Sequence, residues 1–411
     1  MSDNSSRASS QDLIDSPYAM LRLVVTLALM TIAGCAMYVV AVVLPTVQAE
    51  FQVARADASL PYTALMLGSG VGGILMGWLA DRFGITVPLC IGALGIGTGF
   101  VLSSHAPNIW IFVFAHGVLL GLLGTSATFA PLIADTSLWF VRWRGLAVAV
   151  CASGNYLAGA IWPPIVQHLV ERFGWRQAYV GLGLFCGCTM LGLAFLLRRR
   201  PPLSVAAGAG AEAGLGSARP FGLSPRVAQV LLCVAATACC TAMAMPQVHI
   251  VAYCGDLGYG AVKGAQMLSL MLACGIVSRL VSGAICDRIG GMRTLLLGSA
   301  LQGIALLLYL PFDSLWSLYV VSAMFGLFQG GIVPAYAIIV REYFPPGEVG
   351  ARVGIVMMFS LVGMALGGWL SGAVFDVTGS YHAAFINGSA WNLLNLAIVF
   401  WLWRRTRRSR A

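Results

Sequence analysis

Gly77-Trp78-Leu79-Ala80-Asp81-Arg82-Phe83-Gly84 recurs 206 residues later as Gly283-Ala284-Ile285-Cys286-Asp287-Arg288-Ile289-Gly290. In both copies an apolar run ends in an aspartate–arginine pair and a glycine. The chain has 411 residues, so the offset is half its length. A looser echo relates Arg144-Gly145 to Arg352. Repeated halves of this kind mark an alternating-access transporter, provided that the rest of the chain lies in a membrane.

Composition meets that condition. Hydrophobic residues make up 59% of the chain and charged residues 9%, against roughly a quarter charged in a soluble domain. A soluble enzyme, a disordered chain and a collagen-like repeat are all excluded. Glycine is abundant (49 residues), as where membrane helices pack backbone to backbone. The eleven cysteines are an odd number, set mostly in apolar runs and without a CxxC pair. They read as small buried hydrophobes.

Apolar runs long enough to span fall at 21–45, 57–80, 86–105, 109–134, 145–170, 177–197, 227–252, 263–286, 292–311, 315–340, 351–375 and 382–403. The expectation is an all-α membrane protein with twelve transmembrane helices in two pseudo-symmetric six-helix bundles. The divisions are a polar tail (1–20), a first bundle (21–198), a linker rich in Gly, Ala, Pro and Arg (199–225), a second bundle (226–403) and a basic tail (404–411). An even span number places both termini on one side. Nineteen of the 24 cations fall on that side and four on the other (Arg55, Arg172, Arg176, Lys263), leaving Arg279. This bias predicts cytoplasmic termini, in a bacterial inner membrane or a plasma membrane. The net charge of +9 is then topogenic, and no nucleic-acid partner is expected. The polar start lacks the short apolar region of a cleavable signal peptide.

The doubled Gly-x-x-x-Asp-Arg-x-Gly loop on twelve spans with a central linker resembles the major facilitator superfamily. Within it the chain is similar to the monocarboxylate-transporter and oxalate/formate-antiporter branch. The stretches that carry this are Met37-Tyr38 leading to Leu44-Pro45, Arg144-Gly145-Leu146-Ala147, His249 to Tyr253 with Asp256-Leu257-Gly258, and Ser278-Arg279-Leu280-Val281-Ser282-Gly283. The resemblance implies a conformational latch at the cytoplasmic gate, formed by Asp81, Arg82, Arg144, Asp287, Arg288 and Arg352. It also implies that Tyr38 lines the cavity. Three departures stand out. Thr46 replaces a lysine of the animal carriers, Gly275 replaces an aspartate one turn before the arginine, and the eleventh span lacks the lysine of the oxalate carrier. Neither family's coupling scheme transfers intact.

Arg279 lies eight residues inside Asp287, about 12 Å deep at 1.5 Å per residue. A charge there costs roughly 2.5–3.5 kcal/mol on insertion scales. The sequence offers no Asp or Glu at that depth to pair with it. A guanidinium presents a planar fork that fits a carboxylate, so Arg279 reads as a substrate anchor. One cation balances a monoanion, which favours a small organic monocarboxylate over a dicarboxylate. Tyr38, His116, Asn155, Tyr156 and Gln329 are the other candidate binding residues, being polar and near mid-depth. His116 and His249 are candidate proton carriers, with His249 near the outer end of its span. Interface packing is an equal reading of His249, and helix–helix bonding of the rest.

The expected function is a proton-coupled carrier of a small monocarboxylate, working by alternating access. Anion exchange of the oxalate/formate type is second, and drug/proton antiport third. No cofactor other than a coupling proton is expected, and no partner beyond the lipid bilayer. There is no GxxxxGK[ST] run, no HExxH, and the five histidines are scattered. These points argue against ATP-driven transport and against an enzyme.

Overall fold

The computed structural model describes residues 14–199, 220–345 and 348–410, with the side chains of 144 and 407–410 left aside. Much of the expected linker and of the first tail therefore lies outside the described residues. Twelve helices are long and apolar enough to cross a membrane: α1 (Pro17–Phe51), α2 (Arg55–Phe83), α3 (Thr86–Ser104), α4 (Ile109–Trp139), α5 (Gly145–Phe173), α6 (Trp175–Leu196), α7 (Pro225–Asp256), α8 (Ala261–Ile289), α9 (Gly291–Leu308), α10 (Leu315–Tyr343), α11 (Val349–Thr378) and α12 (Tyr381–Thr406). No strand occurs among the described residues. The protein is an all-α, multi-pass integral membrane protein.

Several helices overrun the expected ends. α1 begins at Pro17, not 21, because Ser16 caps it: its Oγ accepts the Ala19 N–H at 3.3 Å. Ser224 does the same for α7, accepting the Val227 N–H at 3.4 Å. Serine before proline is a helix-start signal independent of hydropathy, so an apolar window misses it. The last helix continues to Arg410, through arginines that favour a helix as readily as they favour water.

The first six helices and the last six meet along two long antiparallel seams, α2 against α11 and α5 against α8. Glycine makes the seams close. A Cβ at Gly372 would lie 2.9 Å from the Ala56 backbone, and one at Gly368 would lie 2.9 Å from Tyr62 Cδ1. Just beyond Gly368 the Thr63 hydroxyl donates to the Ala365 carbonyl at 3.0 Å.

Two helices lose regular α geometry midway. In α4 a π-helical stretch, Ala115–Gly124, is followed by a 3₁₀ turn, Thr125–Ala127. In α10 the helix breaks at Gly330–Gly331. The offset of the two Asp-Arg loops also carries Gly124 onto Gly330, so both breaks occupy one repeat position. Such breaks are tolerated at membrane depth only where protein or a water-filled cavity satisfies the freed backbone.

Candidate functional site

The α5–α8 seam can be followed rung by rung. The Ser269 hydroxyl donates to the Ala160 carbonyl. A Cβ at Gly159 would collide with Leu272 at 2.1 Å, and one at Gly275 with the Tyr156 ring at 2.5 Å. The final rung is Arg279, whose Nη1 donates to the Ala152 carbonyl at 2.8 Å. Beyond it, toward the face that carries the termini, Gly283 of α8 and Gly145 of α5 have nothing within 4 Å of an added Cβ among the described residues. Arg279 thus sits where the two halves begin to part.

Its environment is polar but holds no carboxylate. The guanidinium lies over the Tyr156 ring, 4.6 Å from its centroid. Nε reaches toward the Gly330 carbonyl at 3.5 Å, at the break in α10. Among the described residues no ion pair involves Arg279. A guanidinium has five N–H donors; Gly330, Ala152 and the Tyr156 hydroxyl engage up to three of them, so at least two remain for a ligand. Tyr38 is buried within electrostatic range of both Arg279 and Tyr156.

Three of the expected binding residues therefore cluster: Arg279, Tyr156 and Tyr38. Gln329, next to Gly330, is fully buried and accepts from Gln247 at 2.9 Å, while its Nε2 has no partner among the described residues. The neighbouring Ser278 hydroxyl is likewise unpaired. Asn155 is half-buried and makes no side-chain hydrogen bond among the described residues.

His116 is elsewhere. It is fully buried in an aromatic box inside the first half, with Phe112 at 4.2 Å and Tyr179 at 5.9 Å between ring centroids. Its Nδ1 donates to the Phe112 carbonyl at 2.8 Å. The sequence places His116 at mid-depth but does not say which neighbouring helix its face meets.

His249 belongs to a network that closes the opposite face. The Gly368 carbonyl accepts from its Nε2–H at 2.8 Å, which leaves Nδ1 of a neutral ring to accept the Tyr381 hydroxyl at 3.1 Å. Tyr381 in turn accepts from Arg55 Nη1 at 3.0 Å. Arg55 pairs with Asp256 at 2.5 Å, donates to Gln48 at 2.9 Å and lies over Phe375. Asp376 caps the first turn of α2, accepting the Arg55 and Ala56 N–H groups at 2.9 and 2.7 Å. This lock ties α1 and α2 to α7, α11 and α12. The sequence places Arg55 among the four cations of this face and Asp256 at a span end, and nothing in their spacing joins them.

The expected gate residues at the termini-bearing face are not joined in the same way. Asp81, Arg82, Asp287 and Arg288 are all exposed. Arg352 pairs with Glu348, one turn away, at 2.5 Å; the Arg144 side chain lies outside the described residues. Among the described residues no ion pair joins the halves at this face. Arg22, one of the nineteen cations on the side of the termini, is buried inside the first half, paired with Asp135 at 2.7 Å and stacked on Trp139.

The model of the Major Facilitator Superfamily matches residues 26–315 and 288–411. The chain belongs to the major facilitator superfamily. It is a transporter, not an enzyme. It is 29% identical over 353 residues to monocarboxylate transporter 13 of Bos taurus, covering 84% of this chain and 79% of that protein. It is 26% identical over 340 residues to the uncharacterised MFS-type transporter YcxA of Bacillus subtilis, covering 80% and 82%. The agnestins efflux protein AgnL12 of Paecilomyces divaricatus is 24% identical over 319 residues, covering 76% and 70%.

Proposed function

We propose that this protein is a secondary transporter of a small monocarboxylate, with Arg279 as the anchor for the carboxylate. One observation carries the reading: a cation without a carboxylate partner among the described residues, with donors to spare, at the point where the two halves separate. A monoanion would neutralise it, while a dianion would leave an excess charge. The similarity to a monocarboxylate transporter points the same way. Tyr38 and Tyr156 complete the wall, and the unpaired Ser278 and Gln329 groups are candidates for a second polar atom of the substrate.

Proton symport is the preferred coupling. His249 is the coupling group in this reading, since it bonds into the lock that must open in each cycle, whereas His116 touches neither seam. The termini-bearing face is taken as cytoplasmic, where the excess of cations lies. The same site would serve monoanion exchange, the second reading.

Proteoliposomes loaded with and without a pH gradient test this. A panel of monocarboxylates should give uptake that an inward proton gradient enhances, with Arg279→Ala and Arg279→Lys both inactive, because a lysine lacks the planar fork. Undiminished uptake by Arg279→Ala would overturn the anchor. Uptake that needs an internal anion and ignores the gradient would select exchange.

A further inference from the structure

We propose that Tyr156 is a positioning residue for Arg279, and that it can act only because residue 275 is glycine. The proposal rests on Arg279 being the carboxylate anchor. An arginine side chain is rich in rotamers, so an anchor must be held still before the ligand arrives. A carboxylate of the protein would hold it, but would occupy the donors that the substrate needs. Here the hold comes from the other half of the molecule. Ala152 and Tyr156 lie one turn apart on α5; the first gives a carbonyl to Nη1 at 2.8 Å and the second a ring under the guanidinium at 4.6 Å.

The ring is suited to the task by its geometry. Stacking takes up the flat face of the guanidinium, whereas a carboxylate binds to its edge, in plane. The two interactions do not compete. The ring reaches this place by lying against the bare backbone of α8: a Cβ at residue 275 would stand 2.5 Å from Cε1 and 2.6 Å from Cδ1. Both distances are below any real contact, and they fall on the body of the ring. Any side chain at 275 must drive the ring out from beneath Arg279. Because the hold is made across the seam, it lapses when α5 and α8 separate. Affinity for the anion is therefore tied to which face is closed.

Two readouts on the full-length protein in nanodiscs and proteoliposomes test this. The first needs no substrate: phenylglyoxal modification of Arg279, followed by peptide mass spectrometry. Tyr156→Leu and Gly275→Ala should raise the rate severalfold, and Tyr156→Phe, which keeps the ring and loses only the hydroxyl beside Arg279, should raise it far less. The second is pyruvate uptake. Tyr156→Leu and Gly275→Ala should raise KM about tenfold with kcat little changed, Tyr156→Phe, which keeps the ring, should raise it far less, and the double variant Gly275→Ala/Tyr156→Leu should be no worse than Tyr156→Leu. Arg279 reactivity in Tyr156→Leu equal to wild type would overturn the proposal, as would a Tyr156→Phe defect equal to that of Tyr156→Leu, or additivity in the double variant. Wild type that takes up no monocarboxylate overturns the anchor reading instead, and the modification rates still decide the positioning role.

Discussion

The two ends of the α2–α11 pair carry the same residue types and behave differently. At the opposite face, Gly372 and Gly368 are pressed against Ala56 and Tyr62, and Asp376 caps α2. The pairing then loosens through Gly70, where an added Cβ would meet Leu361 at an ordinary 3.6 Å. Carrying the same register two turns further places Gly77 opposite Gly354. Both have nothing within 4 Å of an added Cβ among the described residues. The α5–α8 pair repeats the pattern, tight to Arg279 and open at Gly145 and Gly283. The structure is thus closed at the opposite face and parted at the face with the termini. Small residues in the parted half have no packing role in this state. In an alternating-access cycle they are the surfaces that must meet in the other one.

The strongest way to break that comparison is to put a large residue on each half of one seam. Gly372→Leu should force the closed end apart, since its neighbours at Arg55 and Ala56 are backbone atoms that cannot rotate away. Overpacking of this kind costs about 1–3 kcal/mol or more, enough to move most molecules out of the described state. Gly354→Leu should leave this state untouched and obstruct the other. Spin labels at Pro107→Cys and Phe312→Cys, both exposed near the opposite face, would report the first as a longer distance. The second should melt as wild type does, with transport abolished. Wild-type transport by Gly354→Leu would show that the open glycines are not held for closure.

Arg55→Ala should come next in size. It removes the ion pair with Asp256, the bond to Tyr381 and the contact with Phe375 together. Asp256 is partly exposed, so the Coulomb part is screened. The loss should be about 1–3 kcal/mol, a shift of roughly five- to 150-fold toward molecules open at this face. The same label pair measures it. An unchanged distance distribution would mean that the glycine seam alone holds the face shut.

What the sequence showed of this picture follows from the physics of each part. The twelve helices were legible because a bilayer demands some twenty apolar residues per crossing, and the doubled Asp-Arg loop exposed the repeat. Arg279 was legible because a charge in such a run is rare and costly. The lock was not. Arg55, Asp256, Asp376 and Tyr381 lie at four separate helix ends, and at a helix end a charge is expected whether or not it pairs. Gly275 stands where the resemblance implies an aspartate, but no pattern along the chain says that a tyrosine from position 156 fills the space. His116 and His249 differ in expected depth, yet each is a lone histidine in an apolar run with no neighbour along the chain to show what it faces. Only packing separates the one in an aromatic box from the one beneath the lock.

The smallest effects should come from one chemical change made at both faces, aspartate to asparagine. Asp376→Asn keeps the shape of the cap on α2 but removes the charge that complements the helix N-terminus, worth about 0.3–1 kcal/mol. The label distance should lengthen slightly, less than in Arg55→Ala. Asp287→Asn should change neither melting nor the label distance, because Asp287 is exposed and makes no ion pair among the described residues. Its effect belongs to the other state. If Asp287 becomes a latch when the termini-bearing face shuts, the asparagine variant should lower the transport rate while the described state stays as stable as before. A drop in stability would mean that Asp287 already bonds here. A transport rate equal to wild type would mean that the Asp-Arg loops serve topology alone, and that closure of this face rests on Gly77, Gly145, Gly283 and Gly354.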